Sequence, residues 1–313
     1  VERSGFVESR HRGVVSGLDA SGAEVVRIGA VDVPIFPRSA SKPLQALAMV
    51  RSGLALEGES LALAAASHSG EEFHVGGVEK ILAGAGLTAD ALKCPEHWPA
   101  DAEAGYALAR SGGSASRLHM NCSGKHAAML ATCVINGWPT ESYRAAGHPL
   151  QLAIRATIEE LTGERVAAAG VDGCGAALFA LTPTGVARAF RTLVLSAPGS
   201  PERRIADAMR AHPEWTSGTR RDEAALMRAV PGLLVKAGAE GVDAFALADG
   251  RAGVIKIDDG AKRARTPVTV ALLRALGVEG NAELDALATT PLDGGDEIVG
   301  AIRPAPGLFA RLP

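Results

Sequence analysis

The sequence predicts an α+β fold in two lobes. Strand-like segments stand near both ends, the middle reads as helix, and a glycine-turned meander comes late in the chain. The sheet lobe is expected to be discontinuous, from 1–45 and 163–313. A mainly helical lobe over 46–162 is inserted between its parts, the whole forming a single compact unit. At 313 residues the chain can bury a large core, and with only 4% aromatic residues that core must be mostly Ala, Val and Leu.

Taken in order, VVSGLDASGAEVVRI predicts a hairpin, with Val14-Val15, a turn around Asp19 to Gly22, and Val25 to Ile28. Pro34 and Pro37 end it, since proline has no N–H for a ladder. A helix is expected from about Ala40, with Leu44, Leu47 and Ala48 on one face. The stretches LALAAAS, VGGVEKILAGAG, EAGYALARS, GKHAAMLATCVI and PLQLAIRATIEELTG read as short alanine-rich helices broken by glycine and proline. RVAAAGVD is a strand entering the Asp172-Gly173-Cys174-Gly175 turn. SPERRIADAMRAH opens a helix with Ser200 as its cap and Pro201 in first position. LLVKAGAEGVDAFALADGRAGVIKI reads as three antiparallel strands, and a further helix is expected near Val268 to Leu276.

Composition excludes some classes. A net charge of −3 with no basic block argues against nucleic acid as a partner. No apolar run is long enough to span a membrane, and VERSGFVESRHRG lacks a hydrophobic signal core, so a cytoplasmic location is expected. Four cysteines, Cys94, Cys122, Cys133 and Cys174, are too few for a disulfide framework in a chain this size; free thiols or a metal site are the options. The chain holds 25 Arg but only 7 Lys, which makes each lysine a candidate for a role needing a neutral amine, something arginine cannot supply.

FPRSASKPLQAL places Ser39 three residues before Lys42, with Pro43 next. On a helix the two side chains share a face, and the helix N-terminus favours developing negative charge. A serine hydroxyl becomes a nucleophile when a base takes its proton, and lysine serves only as the free amine. The spacing fits equally a helix cap beside a solvated charge. In ALAAASHSGEE, Ser67 and Ser69 flank His68, either as helix-end caps or as further hydroxyls of a site. Lys236, in VKAGAEG, ends a strand-like run and points into a cleft or to solvent. HMNCSGKHAAML sets Cys122 three before Lys125, and VDGCGA puts Cys174 in a glycine-flanked turn. Two thiolates make half a zinc site, with His119 and His126 as further candidates, while buried structural cysteines explain the same pattern. Cys94 and Cys133 read as core residues or bystanders.

Together these segments resemble the type II L-asparaginase family typified by the inducible rhizobial enzyme. The likeness runs in order through ESRHRG, FPRSASKPLQAL, ASHSGEEFHV, CPEHWP, NCSGKHAAML, GHPLQ, VDGCGAALFAL, PERRIADAMRAHPEW, KAGAEGVDAFAL and KIDDGAKRA. It implies a fold like serine β-lactamases, penicillin-binding proteins and glutaminases, and hydrolysis of asparagine to aspartate and ammonia through an acyl-enzyme. By that resemblance Ser39 and Lys42 form the SxxK pair, and Ser67 with Lys236 a second serine–lysine pair; which serine is acylated stays open. Cys122, Lys125 and Cys174 match the family's zinc ligands. Asp172 matches an acid suited to the substrate's α-ammonium; Arg38, beside Ser39, is read either as meeting an anion such as the substrate's carboxylate or as facing solvent. A homodimer is expected. The alternatives are a glutaminase or broader amide hydrolase of the same fold, or a non-catalytic amino-acid sensor.

Overall fold

The computed structural model describes residues 1–309, and the chain divides into two compact units. One comprises Val1–Ala40, Leu181–Leu195 and the chain from Ala225 onward; the other comprises Ser41–Ala180 and Ser196–Ala224. With antiparallel sheets and helices both present, the fold is α+β.

The sheet unit is built on a five-stranded antiparallel sheet. Its spatial order is Glu24–Ile28, Gly13–Leu18, Ala252–Ile257, Val242–Ala246 and Leu234–Gly238. The hairpin read from VVSGLDASGAEVVRI is its first pair. Asp19 fastens the turn, its Oδ1 accepting from the amides of Ser21 at 2.8 Å and Ala23 at 3.0 Å. The three-stranded meander is the other half. One face of the sheet carries Val15, Val235, Phe245, Ile255 and Ile257 into an aliphatic core shared with Val270, Leu272 and Leu273 of the helix Arg265–Ala275. Strand alternation turns Ser16, Lys236, Ala244 and Val254 to the opposite face, where Ser16 meets Thr184 of the helix Pro183–Leu195. A second sheet, unforeseen from the sequence, pairs Thr290–Gly294, Glu297–Ile302, Glu2–Arg3 and Phe6–Val7.

The helical unit is organised around Lys42–Arg51, where every residue except the terminal Arg51 is buried. A helix buried on all sides is central to its unit, and this one packs against Ser123–Asn136, Pro149–Thr162 and Pro201–Ala211. Ser200 caps the last of these, accepting from the Arg203 amide at 3.2 Å, with Pro201 in its first turn. This helix buries Ile205 and Met209 in its contacts with Lys42–Arg51 and Gly58–Ala64. The helical unit therefore reaches past residue 162 to include Pro201–Ala211 and the hairpin of Ala168–Val171 with Ala177–Ala180. The first crossing between units falls after Ala40, ahead of the expected 45. Among the described residues no helix is long and apolar enough to cross a membrane.

Candidate active site

Of the seven lysines, Lys42, Lys125 and Lys236 are at most 1% exposed, whereas Lys80, Lys93 and Lys262 are exposed and Lys256 half-buried. Lysine is almost never buried without a partner. The three buried lysines are those whose sequence context suggested chemistry.

Lys42 opens its helix, with Pro43 in the first turn, where a missing N–H costs nothing. A single 3₁₀ turn, Arg38–Ser41, leads into it and carries Ser39. The Lys42 Nζ donates to the Ala66 carbonyl at 2.6 Å and to Ser67 Oγ at 2.9 Å. Both partners lie inside the protein, so the amine is held away from solvent by a carbonyl and a hydroxyl. Of the two serines beside His68, only Ser67 meets this lysine; Ser69 Oγ donates instead to Glu71 at 2.5 Å.

The Ser67 turn is held rigidly. Its own amide donates to Thr216 O at 3.1 Å, and the next amide, of His68, to Asn121 O at 3.0 Å. His68 is fully buried. Its Nδ1 accepts from the Gly70 amide at 3.1 Å, so the proton is assigned to Nε2, which donates to Ser123 Oγ at 2.8 Å. Ser123 in turn donates to Leu118 O at 2.7 Å. Burial, then the charges of His74, Lys42, His119 and Arg221, push the His68 pKa well below its ordinary value, so the ring is neutral. Gly70 takes φ +78°, and a Cβ there would sit 2.9 Å from Pro99 Cα.

Lys236 lies on the strand Leu234–Gly238 of the sheet unit, on the face turned away from the aliphatic core, and its Nζ donates to Ala237 O at 2.8 Å. Gly238, two residues on, touches the Ser39 turn: a Cβ there would overlap Pro37 O and stand 3.2 Å from the Ala40 amide nitrogen. The strand that carries Lys236 therefore packs directly on the turn that carries Ser39. Arg38 holds a left-handed backbone, φ +53°, immediately before that serine, an uncommon conformation for a residue with a side chain. Its guanidinium lies 3.9 Å from the Glu240 carboxylate.

In the helical unit Cys122, Lys125 and Cys174 come together, all buried. Between Cys122 and Lys125, Gly124 lies so close to the helix Gly58–Ala64 that a Cβ there would stand 2.6 Å from Leu63 O. The Lys125 Nζ is 3.2 Å from Cys174 Sγ. The neighbouring Cys122 thiol, and then the Lys125 charge, lower the Cys174 pKa against burial and favour its thiolate. Cys174, and then burial, raise that of Cys122, whose Sγ donates to Asn121 Oδ1 at 2.9 Å. Burial opposes the Lys125 charge, but Cys174, Cys122 and Asp172 outweigh it and its pKa is raised. Asp172 is half-buried, its Oδ1 accepting from the Gly173 amide at 2.8 Å. His126 is buried, with Nδ1 2.7 Å from Tyr143 Oη and its Nε2 without a hydrogen-bond partner. Its pKa falls to about 4, chiefly through burial. His119 instead has Nδ1 2.8 Å from Ser116 Oγ.

Among the described residues there is no group of three or more His, Cys, Asp or Glu side chains placed to hold a metal. The cluster has two sulfurs and an amine nitrogen. That donor set fits a borderline-soft cation such as zinc, provided the amine gives up its proton. Cys133 is a core thiol that burial raises to about 11. Cys94 rises equally, first by burial and then through Cys174.

The sequence reading missed three parts: the His68 bracing of Ser67, Tyr143 behind His126, and the loop Thr216–Arg221 that accepts the Ser67 amide. Only ASHSG carried a signal for any of them, as polar residues closing an apolar run. A cavity of about 360 Å³ in the sheet unit, lined among others by Val15, Ile28, Ile255 and Val268, contains none of these residues.

A family model described as L-asparaginase II matches residues 1–304. Comparison with curated proteins returns no match. Among solved structures, the native form of Mglu is 14% identical with a TM-score of 0.44, over 80% of this chain and 59% of that one. This chain thus spans less than two thirds of the Mglu chain. A β-lactamase from Burkholderia vietnamiensis is 14% identical with a TM-score of 0.36, over 89% of this chain and 91% of that one.

Proposed function

We propose that this chain, which belongs to the L-asparaginase II family, hydrolyses the side-chain amide of L-asparagine to L-aspartate and ammonia through a serine ester. Family membership supports an amidohydrolase of the asparaginase type. The observation that carries the finer reading is the buried Lys42 amine bonded to Ser67 Oγ at 2.9 Å, one turn after Ser39 in the sequence.

In this reading Ser39 Oγ attacks the amide carbon as its proton passes to Lys42. A proton relayed through Ser67 and Lys236 accompanies the departing ammonia. Water then attacks the ester, restoring Ser39 and releasing aspartate. Asp172 meets the α-ammonium of the substrate. The pinned Ser67 turn and the Gly238 contact under the Ser39 turn pre-position the hydroxyls, and such positioning is worth several kcal/mol of barrier in well-oriented reactions. Cys122, Lys125 and Cys174 are the residues that would hold Zn²⁺, which when bound supplies a positive charge that orients the substrate's polar groups. A homodimer belongs to the same proposal, and sedimentation analysis reads it.

Ammonia release from L-asparagine and L-glutamine tests the reading. Asparagine is expected to be preferred, by a factor bounded by the about 1–3 kcal/mol that one methylene is worth in a pocket. Tight binding of asparagine without ammonia release would identify an amino-acid sensor instead.

A further inference from the structure

Arg220 and Arg221 are adjacent and meet opposite fates. Arg220 grips Asp101, its Nε 2.9 Å and Nη2 2.5 Å from the two carboxylate oxygens, at an exposed position. Arg221 is half-buried, its Nε is shielded from water with no hydrogen-bond partner, and its guanidinium pairs with no carboxylate among the described residues. A guanidinium nitrogen shielded from water without a hydrogen-bond partner is costly, and an incoming anion would satisfy it.

The loop that carries Arg221 is laid along the Ser67 segment at successive points. Thr216 O accepts the Ser67 amide at 3.1 Å. Gly218, at φ +142°, abuts Ser69 so closely that a Cβ would overlap its Oγ. Thr219 donates to Glu71 through its amide at 3.0 Å and its hydroxyl at 2.7 Å. The Arg221 amide then closes the turn onto Gly218 O at 3.4 Å. Glu71 is consumed by Ser69 and Thr219 and so is not a partner for Arg221. Arg221 thus stands five residues beyond the carbonyl that holds Ser67, in a loop fixed against the Ser67–Glu71 segment, and its charge is among those felt by the buried His68 ring.

We infer that Arg221 is the anchor for the α-carboxylate of the amino-acid substrate. This rests on the proposed hydrolase reading and deepens it. A guanidinium offers a planar fork that matches a carboxylate in two parallel hydrogen bonds, and a substrate so held presents its side-chain amide to the neighbouring hydroxyls. Arg38, the cation beside Ser39, already faces Glu240.

Steady-state kinetics on asparagine with Arg221→Gln and Arg221→Lys test this, with Tm measured alongside. The Gln variant is expected to raise KM by about 10- to 100-fold, the range for a lost hydrogen bond to a charged group. Its kcat should stay within about threefold, because the anchored group lies away from the reacting bond. The Lys variant, which keeps the charge and loses the fork, is expected to fall between Gln and the native chain. A folded Gln variant with unchanged KM would overturn the inference. So would a Lys variant no better than Gln, or a fall in kcat matching the rise in KM, since each marks a structural role. Should Gln fail to fold, the KM of Lys against the native chain decides. If the native chain releases no ammonia from asparagine, the hydrolase reading itself falls.

Discussion

Lys42 Nζ stands 2.9 Å from Ser67 Oγ in the helical unit, with the lysine 1% and the serine 7% exposed. A surface cap beside a solvated charge would leave the ammonium in water. Burial of the amine, with a carbonyl and a hydroxyl as its partners, is what an amine used as a base requires.

Replacing Lys42 by Met is expected to lower kcat at least about 10³-fold while the protein still folds. It removes the donor to Ala66 O and Ser67 Oγ, an unsatisfied-polar cost of about 1–3 kcal/mol. Ammonia release and urea unfolding read the two effects separately.

Gly238→Ala tests the contact beneath the Ser39 turn. Its methyl would overlap Pro37 O, so the turn or the strand must move, at about 1–3 kcal/mol. Activity is expected to drop more than stability explains, because the displaced turn carries the proposed nucleophile. An active Gly238→Ala enzyme with native Tm would remove the argument for pre-positioning.

Chelation tests the cysteine–lysine cluster. Removing metal is expected to lower activity and adding Zn²⁺ to restore it, while Cys122→Ser and Cys174→Ser bind zinc at least tenfold more weakly. Binding should release protons, because thiolate and neutral amine are the ligating forms, so affinity weakens as pH falls. Calorimetry in buffers of different ionisation enthalpy counts them. A cluster that takes no zinc and leaves activity unchanged is structural.

The pH dependence of stability follows from His68. Its folded pKa is lowered by burial first, so the unfolded chain binds a proton that the folded one refuses. The stability it contributes is present above the unfolded value, near 6.5, and is lost as pH falls below that toward the folded value. Urea unfolding at pH 7.5 and pH 5 should show this loss, and His68→Gln should flatten that slope. An identical slope in the variant would assign the acid sensitivity to other groups.

Much of this was legible in residue types and spacing. The scarcity of lysine pointed to three side chains that the fold buries, and the hairpin, meander and Ser200 cap follow from local turn and cap chemistry. The four-stranded sheet was not legible, because Glu2–Arg3 and Phe6–Val7 are two residues each and show no alternation. TPLDGGDEIVGAI did hold a hairpin signal in its Gly294-Gly295-Asp296 run, and Gly295 adopts φ +72°. Arg221 could not have been told from Arg220 by sequence. Their difference is made by a loop whose path is set by Ser67, Ser69 and Glu71, some 150 positions earlier in the chain.

The most direct test of the central claim is the mass of the protein quenched in acid during turnover of asparagine, followed by peptide mapping. The account predicts a species heavier by one aspartyl group, with the ester on the peptide containing Ser39 and absent from Ser39→Ala. Undiminished ammonia release by Ser39→Ala, with no serine acylated, would contradict it.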